Sequence, residues 1–224
     1  MDIKNVMRLP ELNLLSPSME TTFKKLVEEI AECNTAIEDL KKYEKANNTN
    51  CLLLSDEEVS KIRSEYKVKL NDVMGEIMDI AQVCATQLFV FENSGINVRE
   101  LFKEYEETFE FNEIGTQPIF NTINNCRYIH FYPTTKGSTL QSTMNQIILS
   151  MGKVAQLAKF TGENGEVPTI SVEASIKRYA FELFTTIQNC FNLLYSMDDK
   201  YRIDMTKLFD DHVDKLVRRG YCKL

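Results

Sequence analysis

The chain has 224 residues, of which 43% are hydrophobic, so it can bury the core of one large domain or of two small ones. A formal net charge of −7 argues against a general nucleic-acid-binding protein, because such proteins carry a basic face. No apolar run approaches the roughly 20 residues that span a bilayer, and residues 1–4 contain no signal-like apolar segment, so we expect a cytoplasmic protein without a membrane partner.

The first half of the chain predicts three helices. Pro10 and the Ser-Pro-Ser cluster at 16–18 predict irregular structure over residues 1–18. Apolar residues at 3.6-residue spacing then predict a helix from about residue 18 to residue 40, and the polar segment 41–55 predicts a loop. Ser55 and the acids that follow it predict an N-cap and a long helix ending near residue 92, and a third helix is predicted over 97–111.

The second half restarts the helical pattern after a segment of different composition. Residues 112–137 are predicted to be a linker with one strand-like run at 128–132, because glycine, proline and asparagine are frequent there. Helices are then predicted over 138–160, 170–197 and 203–219. His130 lies in the strand-like run without a second histidine or cysteine at ligand spacing, which favours a structural role.

Six cysteines are present, and no two form a Cys-x-x-Cys pair. Four of them lie in or next to apolar helical patterns: Cys33, Cys84, Cys190 and Cys222. Cysteine of this kind is typical of reduced thiols in the core of a cytoplasmic protein.

Two acidic helical turns stand out. Glu29 and Glu32 are three residues apart on the first helix, and Glu76 and Asp79 have the same spacing on the second, so each pair shares a helix face. If the two helices pack together, four carboxylates converge and repel one another unless a cation joins them. Carboxylate oxygens suit Mg²⁺, with Mn²⁺ as the second choice.

The helical plan repeats along the chain. When the second half of the chain is aligned with the first so that Glu182 matches Glu76, Gln188 matches Gln82. After a shift of one residue in this alignment, His212 matches Tyr105. We therefore predict two repeats, at 1–111 and 138–224, packed with pseudo-two-fold symmetry.

The acids of the first repeat are not preserved in the second. In this alignment Lys153 replaces Glu29, Gln156 replaces Glu32 and Thr185 replaces Asp79. A cation and two neutral groups in place of three acids should abolish divalent-metal binding. The alignment predicts a single metal site, in the first half.

A Glu-Glu-x-x-Glu turn followed on the next helix by Glu-x-x-Asp resembles the all-α NTP pyrophosphatases, the MazG-type enzymes and the dimeric dUTPases. Residues 212–220 also resemble the ending of phage-type MazG proteins. The resemblance implies an all-α helical bundle made of two MazG-like repeats. It also implies hydrolysis of a nucleoside triphosphate to the monophosphate and pyrophosphate.

The resemblance further implies roles for individual residues. The metal ligands would be Glu29, Glu32, Glu76 and Asp79, and Glu28 or Glu29 would deprotonate the attacking water. The candidates for phosphate binding are four cations: Lys153, Lys215, Arg218 and Arg219. Each of these is also a common kind of solvated surface residue.

Other interpretations remain open at this stage. Acid-rich helix faces are usually only solvated, and the chain could be a helical module that senses nucleotides or binds another protein without hydrolysis. A di-iron carboxylate bundle is disfavoured because no Glu-x-x-His pair occurs. The base, the sugar and the choice between a monomer with an internal pseudo-dimer and a homodimer are left undefined. Residues 41–58, longer than the corresponding part of the second repeat, are expected to form an extra loop beside the site.

Overall fold

A computed structural model describes seven segments of the chain: residues 7–13, 17–47, 55–108, 120–123, 126–131, 138–158 and 171–222. Within them lie six helices: α1 (Met19–Asn47), α2 (Asp56–Asn93), α3 (Val98–Thr108), α4 (Leu140–Ala158), α5 (Val172–Tyr201) and α6 (Met205–Arg218). Three short strands complete the described structure: β1 (Met7–Pro10), β2 (Phe120–Ile123) and β3 (Cys126–Phe131). The described residues are mostly helical, which confirms the predicted all-α class. The predicted helical segment 109–111 and the loop around residues 162–168 lie outside the described residues.

Helix α1 is longer than the sequence pattern predicted. It continues to Asn47, so the prediction of a loop from residue 41 was wrong for residues 41–47. The reason is packing against α2: the Tyr43 hydroxyl donates to the Ile62 carbonyl at 3.1 Å, and the Tyr66 hydroxyl donates to Glu44 at 3.1 Å. The polar composition of residues 41–47 therefore reflects a solvent-facing helix, and residues 48–54 of the expected extra loop lie outside the described residues.

Helix α2 begins as predicted. The Ser55 side chain accepts from the Glu58 backbone N–H, and the Glu58 carboxylate accepts from the Ser55 N–H, which is a complete capping box. The helix ends before Gly95, whose φ of 88° is a conformation that glycine adopts without strain. By length and composition α2 could cross a bilayer, but 67% of its most apolar window is buried inside the protein. Its place in the core accounts for its apolar composition.

A three-stranded antiparallel sheet with the order β1-β3-β2 covers one part of the core. The prediction that residues 1–18 are irregular was wrong for β1, and the predicted linker contains two strands where one strand-like run was expected. Leu9 pairs with Ile129, and both side chains are buried. Pro10 stands at the end of a strand, where the missing N–H is tolerated, and its carbonyl accepts from the Gln82 side chain at 2.9 Å.

The helices pack around α2 and α5. Helix α1 packs on α2 and α4, α4 also packs on α5, and α5 packs on α2. Each of the two short helices packs on a long helix of the other half of the chain: α3 packs on α5, and α6 packs on α2. A cluster of aromatic rings, with centroids 5.1–6.5 Å apart, links α3, β3 and α5: Phe102, Tyr105, Phe131, Phe181 and Phe184.

The cysteines of the described segments are free thiols. Cys33, Cys84, Cys190 and Cys222 are buried, as the apolar patterns around them predicted. Burial raises the pKa of the Cys33 thiol to about 12, with the charge of Glu76 as a smaller cause. Such thiols stay protonated at neutral pH and are part of the packing.

Candidate metal centre

Three acidic side chains from two helices meet at one point. Glu29 of α1 and Glu76 and Asp79 of α2 each place a carboxylate oxygen within 4.8 Å of the other two. Glu29 is flanked by the buried Ile30 and Glu76 by the buried Ile77, so the α1–α2 packing that buries these apolar residues also directs the acids toward one another.

Glu29 is the most buried acid of the group, with 6% of its surface exposed. Lys25, one helical turn earlier, donates to Glu29 Oε1 at 2.7 Å. Burial raises the pKa of Glu29, the Lys25 hydrogen bond opposes this effect, and the negative charge of Asp79 adds to it. Glu29 is therefore held close to both a cation and other anions.

Glu76 has an oxygen that lacks a protein partner. Its Oε2 is buried and accepts no hydrogen bond from the described residues. Burial and the neighbouring charge of Asp79 raise the pKa of Glu76 to about 7, against the opposing charge of Lys215. A buried carboxylate oxygen without a donor is costly, and a proton or a cation there would remove the cost; Glu182 Oε2 is in the same situation.

Asp79 has a partner on α6 for each of its oxygens. His212 Nδ1 lies 3.3 Å from Oδ1, and Lys215 Nζ contacts Oδ2. Burial alone would raise the pKa of Asp79, but the hydrogen bonds from His212 and Lys215 hold it below its ordinary value. Asp79 is consequently the acid of the group that is most firmly ionised.

The other two predicted acids lie at the rim. Glu32 is exposed and is not one of the three converging carboxylates, but it lines a cavity of about 320 Å³ together with Glu76 and Asp72. Its charge adds to the causes that raise the pKa of Glu76. Glu28 is exposed and accepts from Lys25 at 2.7 Å.

The four predicted phosphate-binding cations are in different places. Lys215 contacts the acidic group through Asp79. Lys153 of α4 pairs with Glu182 of α5, with 3.0 Å between Nζ and Oε1. Arg218 and Arg219 are exposed at the end of α6 and pair with none of the described acids.

The sequence did not predict that His212 contacts the acidic group; His212 was aligned with Tyr105 and was given no site role. Its Nε2 lies 3.4 Å from Gln82 Oε1, so the buried imidazole joins α6 to two residues of α2. The usable signal was its spacing of three from Lys215, which puts both side chains on one face of the strongly amphipathic α6.

The donor set fits a hard divalent cation. Three carboxylates offer oxygen ligands, Glu76 Oε2 accepts no hydrogen bond from the described residues, and Mg²⁺ keeps several waters when few protein ligands are present. The three converging side chains are all carboxylates, and the imidazole nitrogen that reaches them, His212 Nδ1, lies against Asp79 Oδ1.

Comparison with protein-family models, with curated proteins and with solved structures found no match to this chain.

Proposed function

We propose that this protein is a magnesium-dependent nucleoside triphosphate pyrophosphohydrolase that converts a (d)NTP and water to a (d)NMP and pyrophosphate. The observation that carries the proposal is the convergence of the three carboxylates of Glu29, Glu76 and Asp79. Magnesium bound there would neutralise phosphate charge and lower the pKa of water, the two effects that this reaction needs.

In this mechanism the protein supplies a carboxylate base and a positively charged side chain. A water attacks the α-phosphorus while a carboxylate takes its proton, and the bond from that phosphorus to the bridging oxygen breaks to release pyrophosphate. Glu29 suits the base role better than Glu28, because burial raises the pKa of Glu29 above the ordinary glutamate value whereas Glu28 is exposed. Lys215 supplies a cation beside the acids.

The contacts between helices support the predicted pseudo-two-fold arrangement. Helix α1 packs on α2 as α4 packs on α5, and α6 packs on α2 as α3 packs on α5. Aligned residues also make matching contacts: His212 lies 3.3 Å from Asp79, and the hydroxyls of Tyr105 and Thr185 lie 3.4 Å apart. These matches favour two repeats of one helical unit.

The same alignment supports a single metal site. At the positions aligned with Glu29 and Glu76, Lys153 and Glu182 form an ion pair. Lys153, Gln156 and Thr185 supply no acid beside Glu182, so one carboxylate stands where the first half has three converging ones. We therefore assign the chemistry to the first half.

The test is a panel of the common ribo- and deoxyribonucleoside triphosphates, each incubated with the protein and Mg²⁺. Release of pyrophosphate and a nucleoside monophosphate from at least one of them is expected, with a Mg²⁺-free reaction as the control. Release of inorganic phosphate and a diphosphate would contradict attack at the α-phosphorus.

A second candidate is a non-catalytic nucleotide-binding or protein-interaction module. It is favoured by the two lysines, Lys25 and Lys215, that already pair with two of the three acids. In that case nucleotide raises the melting temperature, but the panel gives no product.

A further inference from the structure

A row of buried polar groups connects strand β1 to the acidic group. The Pro10 carbonyl accepts from Gln82 Nε2 at 2.9 Å, and Gln82 Oε1 lies 3.4 Å from His212 Nε2. His212 Nδ1 in turn lies 3.3 Å from Asp79 Oδ1. Gln82 and His212 are each only 4% exposed, so a partner lost from this row is not readily replaced by bulk water.

The Pro10 carbonyl determines which way the Gln82 amide points. A carbonyl oxygen only accepts hydrogen bonds, so the Gln82 atom that faces it is the amide nitrogen. The amide oxygen then faces His212 Nε2, and this nitrogen is the donor because an amide oxygen also only accepts. A backbone group of β1 therefore assigns a proton to His212 Nε2.

The imidazole of His212 is held at both of its nitrogens. Gln82 follows Asp79 by three residues and shares its face of α2, so one ring from α6 can contact both side chains. Gln82 takes the Nε2 edge of the ring, which leaves the Nδ1 edge against Asp79 Oδ1. Two contacts on opposite edges fix the plane of the ring, and the fixed ring holds the Asp79 carboxylate.

We propose that Gln82 is a positioning residue of the metal centre, which acts through His212 to hold the Asp79 carboxylate in the orientation that binds a divalent cation. The inference rests on the metal centre of the proposed function. It adds a residue that contacts neither the metal nor the substrate.

The physical basis is the freedom of a carboxylate to rotate. A metal ion needs each ligand oxygen at a defined point, and partners that hydrogen-bond a ligand keep it there. Loss of such a partner typically lowers metal affinity or activity by about 10- to 100-fold. Gln82→Leu removes both hydrogen bonds of the amide, so the ring loses its second anchor and can turn away from Asp79.

The first measurement is calorimetric titration of Mg²⁺ into the nucleotide-free protein. Gln82→Leu should weaken Mg²⁺ binding about tenfold. Gln87→Leu is the matched control, because Gln87 is a glutamine of the same helix that is 1% exposed and accepts from the Thr22 hydroxyl of α1 at 2.6 Å. It should lower the melting temperature but leave Mg²⁺ affinity unchanged. Equal Mg²⁺ affinity of Gln82→Leu and wild type, or an equal loss in Gln87→Leu, would overturn the inference.

A double-mutant cycle tests whether Gln82 acts through the imidazole. In a His212→Leu background the row is already broken, so Gln82→Leu should change Mg²⁺ affinity by no more than about twofold. If the two substitutions instead weaken Mg²⁺ binding additively, Gln82 does not act through His212 and the inference fails.

The third measurement needs only the wild-type protein and a variant for assignment. The chain has two histidines, so a long-range ¹H–¹⁵N spectrum recorded with and without His212→Leu identifies the signals of His212. Its Nε2 should carry a proton, and an unprotonated Nε2 would overturn the inference. Wild type that binds no Mg²⁺ would overturn it together with the metal centre. If the Mg²⁺ effects occur but no nucleotide is hydrolysed, the positioning role stands and the enzymatic function fails.

Discussion

Lys153 Nζ lies 3.0 Å from Glu182 Oε1, so an ion pair joins α4 to α5 at the positions that the proposed alignment sets against Glu29 and Glu76. One pair of helices thus brings acid to acid, and the other brings a cation to an acid. The second arrangement pairs one acid with one cation, whereas the first sets three acids against two lysines, Lys25 and Lys215.

This difference predicts that a second site can be built. Lys153→Glu with Thr185→Asp would place three acids around α4 and α5, and we expect calorimetry to detect a second equivalent of Mg²⁺. Without metal the double variant should melt at a lower temperature than wild type, because the new acids repel one another. Lys153→Gln, which removes the cation without adding an acid, should bind one equivalent. A single equivalent in the double variant would argue against the alignment.

Glu76 and Glu182 provide a matched pair for testing the metal centre. Glu76→Gln should lower pyrophosphate release by about 100-fold or more, because losing a ligand costs at least as much as losing a group that orients one. The rise in melting temperature on adding Mg²⁺ should also disappear. Glu182→Gln changes the same residue type on the helix aligned with α2. It should leave the rate of pyrophosphate release, and the rise in melting temperature on adding Mg²⁺, within about twofold of the wild-type values. Equal damage from the two variants would refute the assignment to the first half.

The pKa of Glu76 predicts how metal affinity depends on pH. Because burial raises this pKa to about 7, Mg²⁺ must displace a proton below that pH and need not above it. Apparent Mg²⁺ affinity should therefore rise about tenfold per pH unit up to about pH 7 and then level off. Calorimetry between pH 5.5 and 8.5 measures this curve, and a profile that is flat across pH 7 would contradict it.

The same group predicts the pH dependence of the metal-free protein. The folded state holds the Glu76 proton more tightly than the unfolded state, so this contribution to stability is lost as pH rises from the ordinary glutamate value of 4.5 through about 7. The melting temperature in EDTA should fall over that window in wild type, and this part of the slope should be absent in Glu76→Gln. Asp79 acts in the opposite direction and at lower pH, because its pKa is lowered below 3.8.

Phe184 tests the aromatic cluster that holds α3 and β3 on α5. Its ring is fully buried, and its centroid is 5.1 Å from that of Phe102. Phe184→Ala should lower the free energy of unfolding by about 3–5 kcal/mol, as measured by denaturant titration. Val172→Ala, on the same helix at a side chain that is 73% exposed, should change it by less than about 0.5 kcal/mol. A small effect of Phe184→Ala would show that the cluster can repack around the missing ring.

The helices could be predicted because each buries an apolar stripe along its length, which leaves a 3.6-residue pattern. The errors lie where that signal is absent. Residues 41–47 of α1 are mostly solvent-facing and polar, and β1 is only four residues long and ends in proline. Strand β1 exists because it pairs with β3, more than a hundred residues away, a contact that local composition does not encode.

The acidic group, too, could be predicted only as far as its residues follow a local helical pattern. Glu76 and Asp79 share a face of α2 by spacing alone, and the approach of Glu29 follows from packing of adjacent helices. The contacts of His212 and Lys215 with Asp79 could not be predicted, because they depend on how α6 crosses α2 in three dimensions.

The crossing of the short helices, α6 onto α2 and α3 onto α5, means that cutting the gene between the halves would not yield two working fragments. An N-terminal fragment would retain Glu29, Glu76 and Asp79 but lose the histidine and lysine that anchor Asp79, and it would expose the apolar surface that α5 covers. We therefore expect the acidic group to depend on helices α5 and α6, which lie outside the segment that carries its three acids.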